Sequence, residues 1–65
     1  MPFKEKLVYA RAKLGLSQEA LARELNVSFA TINRWETGRT TPSKRFEMLF
    51  VDYCKNQNIV FPGEK

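Results

Sequence analysis

The chain has 65 residues, 43% of them hydrophobic and 28% charged, which is the composition of one small globular domain and excludes a disordered chain. Eleven Lys and Arg against seven Asp and Glu give a net charge of +4, which is compatible with nucleic-acid binding but does not establish it. The absence of histidine and the single cysteine, Cys54, exclude imidazole acid–base chemistry, an intramolecular disulfide and a cysteine-based zinc site.

The first predicted helix runs from residue 2 or 3 to residue 14. Pro2 suits a first helical turn, and Leu7, Ala10 and Leu14 share one apolar stripe, with Phe3 a turn earlier. Gly15 follows, and glycine adopts the left-handed conformation that ends helices without steric cost.

The second predicted helix is short, about eight residues, and begins after Ser17. The Ser17 hydroxyl suits an N-cap, and Leu21, Ala22 and Leu25 form the apolar face. Asn26 occupies the position after the helix where a left-handed residue is common. A helix of this length does not persist alone, so we expect neighbouring helices to hold it.

The third predicted helix covers residues 29 to about 37, with Ser28 as its N-cap and Gly38 as its stop. Ile32 and Trp35, three residues apart, form its buried stripe. Only three residues, 26–28, separate it from the second helix, so we expect the two helices to cross steeply.

The fourth predicted helix has Thr41 as its cap and Pro42 as its first residue, and it reaches about residue 56. Seven of the nine residues 46–54 are apolar. One stripe suits the core and consists of Phe46, Leu49, Phe50 and Tyr53. Since no alternating strand pattern of useful length occurs, the sequence predicts an all-α fold with a short extended tail at residues 59–61.

Met48 and Val51 fall off the core stripe of the fourth helix, which is therefore apolar on two sides. Two arrangements would cover the second side. The tail Ile59-Val60-Phe61 could fold back over it, or Met48, Val51 and the tail could together form the interface of a homodimer.

The outward side of the third helix combines an aromatic ring, small methyl-bearing side chains, an amide and a guanidinium. These residues are Phe29, Ala30, Thr31, Asn33 and Arg34. Such groups match the edges of DNA bases, because Arg pairs with guanine, Asn with adenine, and apolar groups contact the thymine methyl.

The residues that define this pattern are Arg11, residues 14–19, Leu21, Ala22, Leu25, Val27, Ser28, Ile32, residues 34–36, Gly38, Pro42 and Ser43. Over roughly residues 5–45 the sequence resembles the Xre/Cro-type helix-turn-helix family of bacterial and phage regulators. The resemblance implies a single phage-repressor-like domain over residues 1–65, with four compact helices, the motif at about residues 17–37, and the fifth helix of the family missing.

The resemblance also implies roles for individual residues. The residues expected to contact bases are Ser28, Phe29, Ala30, Thr31, Asn33 and Arg34. Those expected to contact phosphates are Gln18, Arg39, Thr40, Lys44 and Arg45. Arg11 and Glu36 are expected to form a structural ion pair.

We therefore expect a sequence-specific regulator of transcription, of repressor type, that binds double-stranded DNA through the helix at about residues 29–37. It should not be an enzyme and should need no metal, cofactor or small-molecule ligand. No apolar run approaches the roughly 18 residues of a membrane span, so we expect a cytoplasmic protein associated with the nucleoid. The alternative is a protein-interaction module of antitoxin or adaptor type that uses the apolar face of the fourth helix.

Overall fold

Four α-helices and no strand are found in residues 1–63, the part of the chain that the computed structural model describes. They are α1 (Phe3–Leu14), α2 (Gln18–Leu25), α3 (Phe29–Glu36) and α4 (Lys44–Asn56). This architecture confirms the predicted all-α fold.

The first three helices start and stop at the residues that the sequence indicates. Ser17 and Ser28 each accept a hydrogen bond from the backbone N–H three residues later, at 3.0 and 3.1 Å. Gly15 and Asn26 adopt left-handed conformations, with φ of 68° and 59°. Each cap satisfies backbone groups that the helix itself leaves without partners, so the two tight turns on either side of α2 are locally determined.

The predicted start of α4 is wrong by two residues. The cap is Ser43 rather than Thr41, and Pro42 lies outside the helix. The Ser43 hydroxyl accepts a hydrogen bond from the N–H of Phe46 at 3.2 Å. Both Thr41 and Ser43 carry a hydroxyl that suits an N-cap, but only the hydroxyl of Ser43 lies against a free N–H in the first turn of the helix.

The core is made by side chains from all four helices and from the C-terminal tail. Its buried hydrophobic members are Leu7, Ala10, Leu21, Ala22, Ile32, Phe50, Cys54 and Phe61. Beside it, the ring of Phe3 meets those of Trp35 and Phe50 edge-on, with centroids 5.9 and 5.4 Å apart. These ring contacts join α1 to α3 and α4, and each such pair contributes about 0.5–1.5 kcal/mol beyond the area it buries.

Leu49 does not belong to the core, and its prediction as a core residue is wrong. Its side chain is 57% exposed, whereas Phe50 and Cys54 are fully buried. Residues four apart point in nearly the same direction on a helix, while successive residues differ by about 100°. Because α4 turns the side with Phe50 and Cys54 inward, Leu49 faces away from the core.

The chain after α4 turns back toward the core. Asn58 adopts a left-handed conformation with φ of 60°, and the N–H of Ile59 donates to the carbonyl of Cys54 at 2.9 Å. These features resemble the other left-handed helix ends of the fold, and they reverse the chain direction directly after the helix.

Phe61 ends this return and is only 7% exposed. Its ring packs against the rings of Tyr9 and Phe50, with centroids 5.6 and 6.4 Å apart. The inclusion of Phe61 in an association surface is therefore wrong, because the residue is already buried within its own chain. Val60, in contrast, is 70% exposed.

Candidate nucleic-acid interface

One side of α3 is turned away from the core. Ile32 is fully buried and Trp35 packs against the core, so the opposite side of the helix points outward. The exposed residues on that side and at the helix start are Ser28, Phe29, Ala30, Asn33 and Arg34, and Thr31 is half-buried among them. The structure thus brings all six residues expected to contact bases onto one helix and its cap.

Phe29 is the first residue of α3, and its side chain is 50% exposed. Ala30, which follows it, is also exposed. An aromatic ring and a methyl group at the exposed start of a short helix gain nothing from solvent, but they suit contact with the methyl group of thymine.

The middle of α3 carries a chain of side-chain hydrogen bonds. The hydroxyls of Ser28 and Thr31 lie 2.8 Å apart, and Arg34 Nη2 donates to Thr31 Oγ1 at 3.3 Å. Because a guanidinium has five N–H donors, Arg34 keeps donors for a further acceptor while one contact orients its plane.

Gln18, the first residue of α2, is held by α3. Its Nε2 donates to Glu36 Oε1 at 2.9 Å, and its Oε1 accepts from Asn33 Nδ2 at 3.4 Å. An amide nitrogen has two hydrogens, so one remains for an acceptor such as a phosphate oxygen. The contact with Asn33 joins a predicted phosphate-contacting residue to a predicted base-contacting one, and the sequence does not indicate it.

Glu36 lies at the centre of this arrangement. It accepts from Arg11 Nε at 2.7 Å and from Arg11 Nη2 at 2.9 Å, and its side chain is only 7% exposed. Arg11 also donates to the carbonyl of Leu16 at 3.2 Å, and the hydrogen bonds to Glu36 raise the pKa of its guanidinium. The structure thus places Arg11 and Glu36 in a bidentate pair that joins α1 to α3.

The remaining residues expected to contact phosphates surround the start of α4. They are Arg39, Thr40, Lys44 and Arg45, and all four are exposed. None of their side chains forms a hydrogen bond or ion pair within residues 1–63. Because Glu36 is already paired with Arg11, the three cations among them stay available to a polyanion.

Lys4 is a further cation close to this region. The Lys4 side chain lies against Gly38. A Cβ placed on Gly38 would be 3.4 Å from Lys4 Cδ and 3.5 Å from Lys4 Nζ. The ammonium of α1 therefore lies beside the turn that follows α3. No signal in the sequence indicates this contact, since it depends on how α1 and α3 pack.

The part of the chain that the structure describes contains no group of three or more residues placed to hold a metal ion. None of its helices has both the length and the apolar character needed to cross a bilayer.

In comparison with known proteins, a family model described as helix-turn-helix matches residues 7–46. This range contains α1 from Leu7 onward, all of α2 and α3, and the first three residues of α4. No curated protein and no solved structure matches the chain significantly.

Proposed function

Because the chain belongs to the Xre/Cro-type helix-turn-helix family of DNA-binding regulators, we propose that it binds double-stranded DNA in a sequence-specific way and represses transcription. One observation carries the proposal, namely the exposed side of α3 with its half-exposed Phe29 and its oriented Arg34. In this role the protein acts by binding alone and catalyses no reaction.

In the proposed complex α3 lies in the major groove. Arg34 donates to guanine O6 and N7, and Phe29 and Ala30 contact thymine methyl groups. Ser28 and Thr31 contact the groove at the helix start. Asn33 shares its amide with Gln18, so its contact with a base is coupled to the position of α2.

The phosphate contacts fix this orientation on the duplex. Gln18 donates from the start of α2, and the backbone N–H groups of that helix end support an anion beside it. The residues that contact the backbone from the turn after α3 and from the start of α4 are Arg39, Thr40, Lys44 and Arg45. Their charge makes affinity depend on salt, because each neutralised phosphate releases counterions.

The test begins with selection of binding sites from random duplexes, followed by titration of the selected duplex and a scrambled one at several salt concentrations. We expect one enriched sequence, bound at least about a thousand times more tightly than random DNA. Equal affinity for both duplexes would contradict specific binding. Absence of any DNA binding would favour the protein-interaction alternative, for which the exposed Met48 and Leu49 on α4 are the supporting observation.

Repression is tested separately, by transcription from a promoter that overlaps the selected site. We expect transcript levels to fall as the site is occupied, because the bound protein blocks access of RNA polymerase to the overlapping promoter. A rise in transcript would show activation and would leave the proposal of DNA binding intact.

A further inference from the structure

The guanidinium of Arg34 is held by a neutral hydroxyl of its own helix. Arg34 Nη2 donates to Thr31 Oγ1 at 3.3 Å, and within residues 1–63 this guanidinium has no carboxylate partner. A long side chain in a helix runs back toward the N-terminus, over the residues three and four positions earlier. For Arg34 these are Thr31 and Ala30, and of the two only Thr31 carries a side-chain acceptor.

We propose that Thr31 is a positioning residue for base recognition. Its hydroxyl holds the Arg34 guanidinium in the orientation that meets guanine, and it thereby sets how strongly α3 prefers guanine over the other bases. The proposal rests on the proposed DNA binding, and it gives Thr31 a role beyond a direct contact with the groove.

Ser28 fixes the Thr31 hydroxyl in turn. Ser28 Oγ accepts from the N–H of Thr31 at 3.1 Å and lies 2.8 Å from Thr31 Oγ1. A hydroxyl has one hydrogen and two lone pairs, so Thr31 Oγ1 keeps both lone pairs if it donates to Ser28 and one if it accepts from Ser28. In either arrangement it can accept from Arg34, and the contact is satisfied whichever hydroxyl donates.

A guanidinium that is already held favours guanine in two ways. Immobilising a flexible side chain on binding costs about two- to tenfold in affinity, and a contact made in the free protein removes part of this cost. On a duplex without guanine at that position, an unheld arginine can turn to a phosphate and recover affinity, whereas a held one must first lose its contact with Thr31. Since specificity is the difference between the two affinities, both effects raise it.

The neutrality of Thr31 suits this role. A carboxylate partner would bind the guanidinium more strongly, but it would also offset the positive charge that attracts DNA. The hydroxyl occupies one N–H donor of Arg34 and leaves the others for guanine O6 and N7.

Thr31→Val and Thr31→Ser separate the hydroxyl from the methyl group of this side chain. Valine has nearly the shape of threonine without the hydroxyl, whereas serine keeps the hydroxyl and lacks the methyl group. Both variants and the parent are titrated on the selected duplex and on duplexes with the other base pairs at the position that Arg34→Ala identifies. We expect Thr31→Val to lower the preference for guanine there by about three- to tenfold. Thr31→Ser should stay within about twofold of the parent.

Two further measurements distinguish positioning from a structural or direct role. In the Arg34→Ala background, Thr31→Val should leave the base preference at this position unchanged, because no guanidinium remains to be held. In the free protein, the NMR order parameter of the Arg34 Nε–H bond should be lower in Thr31→Val than in the parent or in Thr31→Ser. Circular dichroism checks that each variant is folded, and Thr31→Ala, which also lacks the hydroxyl and favours a helix, replaces Thr31→Val if valine prevents folding.

A Thr31→Val protein that keeps the base preference of the parent would overturn the positioning role. An equal loss in Thr31→Ser would also overturn it, because the effect would then belong to the methyl group, and so would a loss that persists without Arg34. A parent that prefers no duplex would instead contradict the proposed DNA recognition, and this inference with it, so the two failures are distinguishable.

Discussion

Glu36, the last residue of α3, accepts two hydrogen bonds from Arg11 of α1 and a third from Gln18 of α2, at 2.7, 2.9 and 2.9 Å. A carboxylate at the C-terminal end of a helix is disfavoured by the helix dipole, so this position needs a cation to compensate it. Arg11 supplies that cation, and the same carboxylate orients the amide at the start of α2. One side chain therefore joins the packing of three helices to the proposed DNA-binding surface.

Removing the negative charge with Glu36→Gln should lower the free energy of unfolding by about 3 kcal/mol, since it leaves the Arg11 guanidinium without its counter-ion in a partly buried site. For a domain of this size that corresponds to a fall in the melting temperature of about 10 °C or more. Thermal unfolding followed by circular dichroism measures it. Asp52→Asn, at an exposed position of α4, is the control and should shift the melting temperature little. A Glu36→Gln protein that melts within a degree or two of the parent would contradict the role given to the pair.

The left-handed backbone of Asn26 predicts opposite effects for two substitutions. At φ of 59° an alanine costs about 1 kcal/mol, because its Cβ crowds the neighbouring carbonyl, whereas a glycine has no such clash. Asn26→Ala should therefore lower the urea midpoint, and Asn26→Gly should match or exceed the parent. Asn56→Ala, within α4 and exposed, is the control and should be nearly neutral. If alanine and glycine behaved alike at residue 26, the turn between α2 and α3 would not depend on this conformation.

Burial of Cys54 predicts a loss of stability at high pH. Desolvation raises the pKa of its thiol from 9.0 to about 11, against a smaller opposing effect of the Lys6 charge. The folded state thus holds the proton more tightly than the unfolded one. Tighter proton binding by the Cys54 thiol contributes about 2 kcal/mol to the free energy of unfolding. This contribution is fully present below pH 9 and is lost as the pH rises to about 11.

Because other groups also titrate in this range, the measurement compares the parent with Cys54→Ala in urea unfolding at pH 8, 9.5 and 11, with the pH values chosen about the shifted pKa. The parent should have the higher free energy of unfolding, and its difference from Cys54→Ala should be largest at the lowest pH and shrink as the pH rises. If this difference stayed constant with pH, the thiol would have the same pKa in the folded and unfolded states.

Much of the fold follows from signals that act within one helical turn. The hydroxyls of Ser17 and Ser28 and the left-handed residues Gly15 and Asn26 meet only their own neighbours, so their effect is visible in the sequence. The start of α4 is different, because two hydroxyls two residues apart, on Thr41 and Ser43, satisfy the same local rule. The choice between them depends on how α4 packs.

Tertiary packing also decides which side of an apolar helix is buried. Leu49 and Cys54 are both apolar, and only the positions of α1 and the returning tail turn Cys54 inward and Leu49 outward. In the candidate site, too, one feature follows from the sequence and another depends on tertiary packing. The exposed side of α3 follows from the spacing of Ile32 and Trp35, whereas the contact between Gln18 and Asn33 depends on where two helices cross.

Arg34 and Lys44 should contribute to DNA binding in different ways. Arg34 projects from the middle of α3, where its guanidinium reaches guanine in the proposed complex, so Arg34→Ala should cost about 1–3 kcal/mol on the selected duplex and little on a scrambled one. Lys44 begins α4 and, in the proposed complex, reaches only a phosphate. Lys44→Ala should therefore weaken binding to both duplexes alike and reduce the slope of log affinity against log salt by about one.

The measurement is a titration of both variants on both duplexes at three salt concentrations, with Lys13→Ala as the control for loss of one exposed cation on α1. Arg34→Ala should relax the preference at one base pair of each site, and Lys44→Ala should preserve it. Equal losses on the two duplexes for Arg34→Ala would mean that α3 does not discriminate bases through this residue. If both variants bound like the parent, the proposed orientation on DNA would be wrong, because a helix in the major groove brings the middle of α3 and the start of α4 against the duplex together.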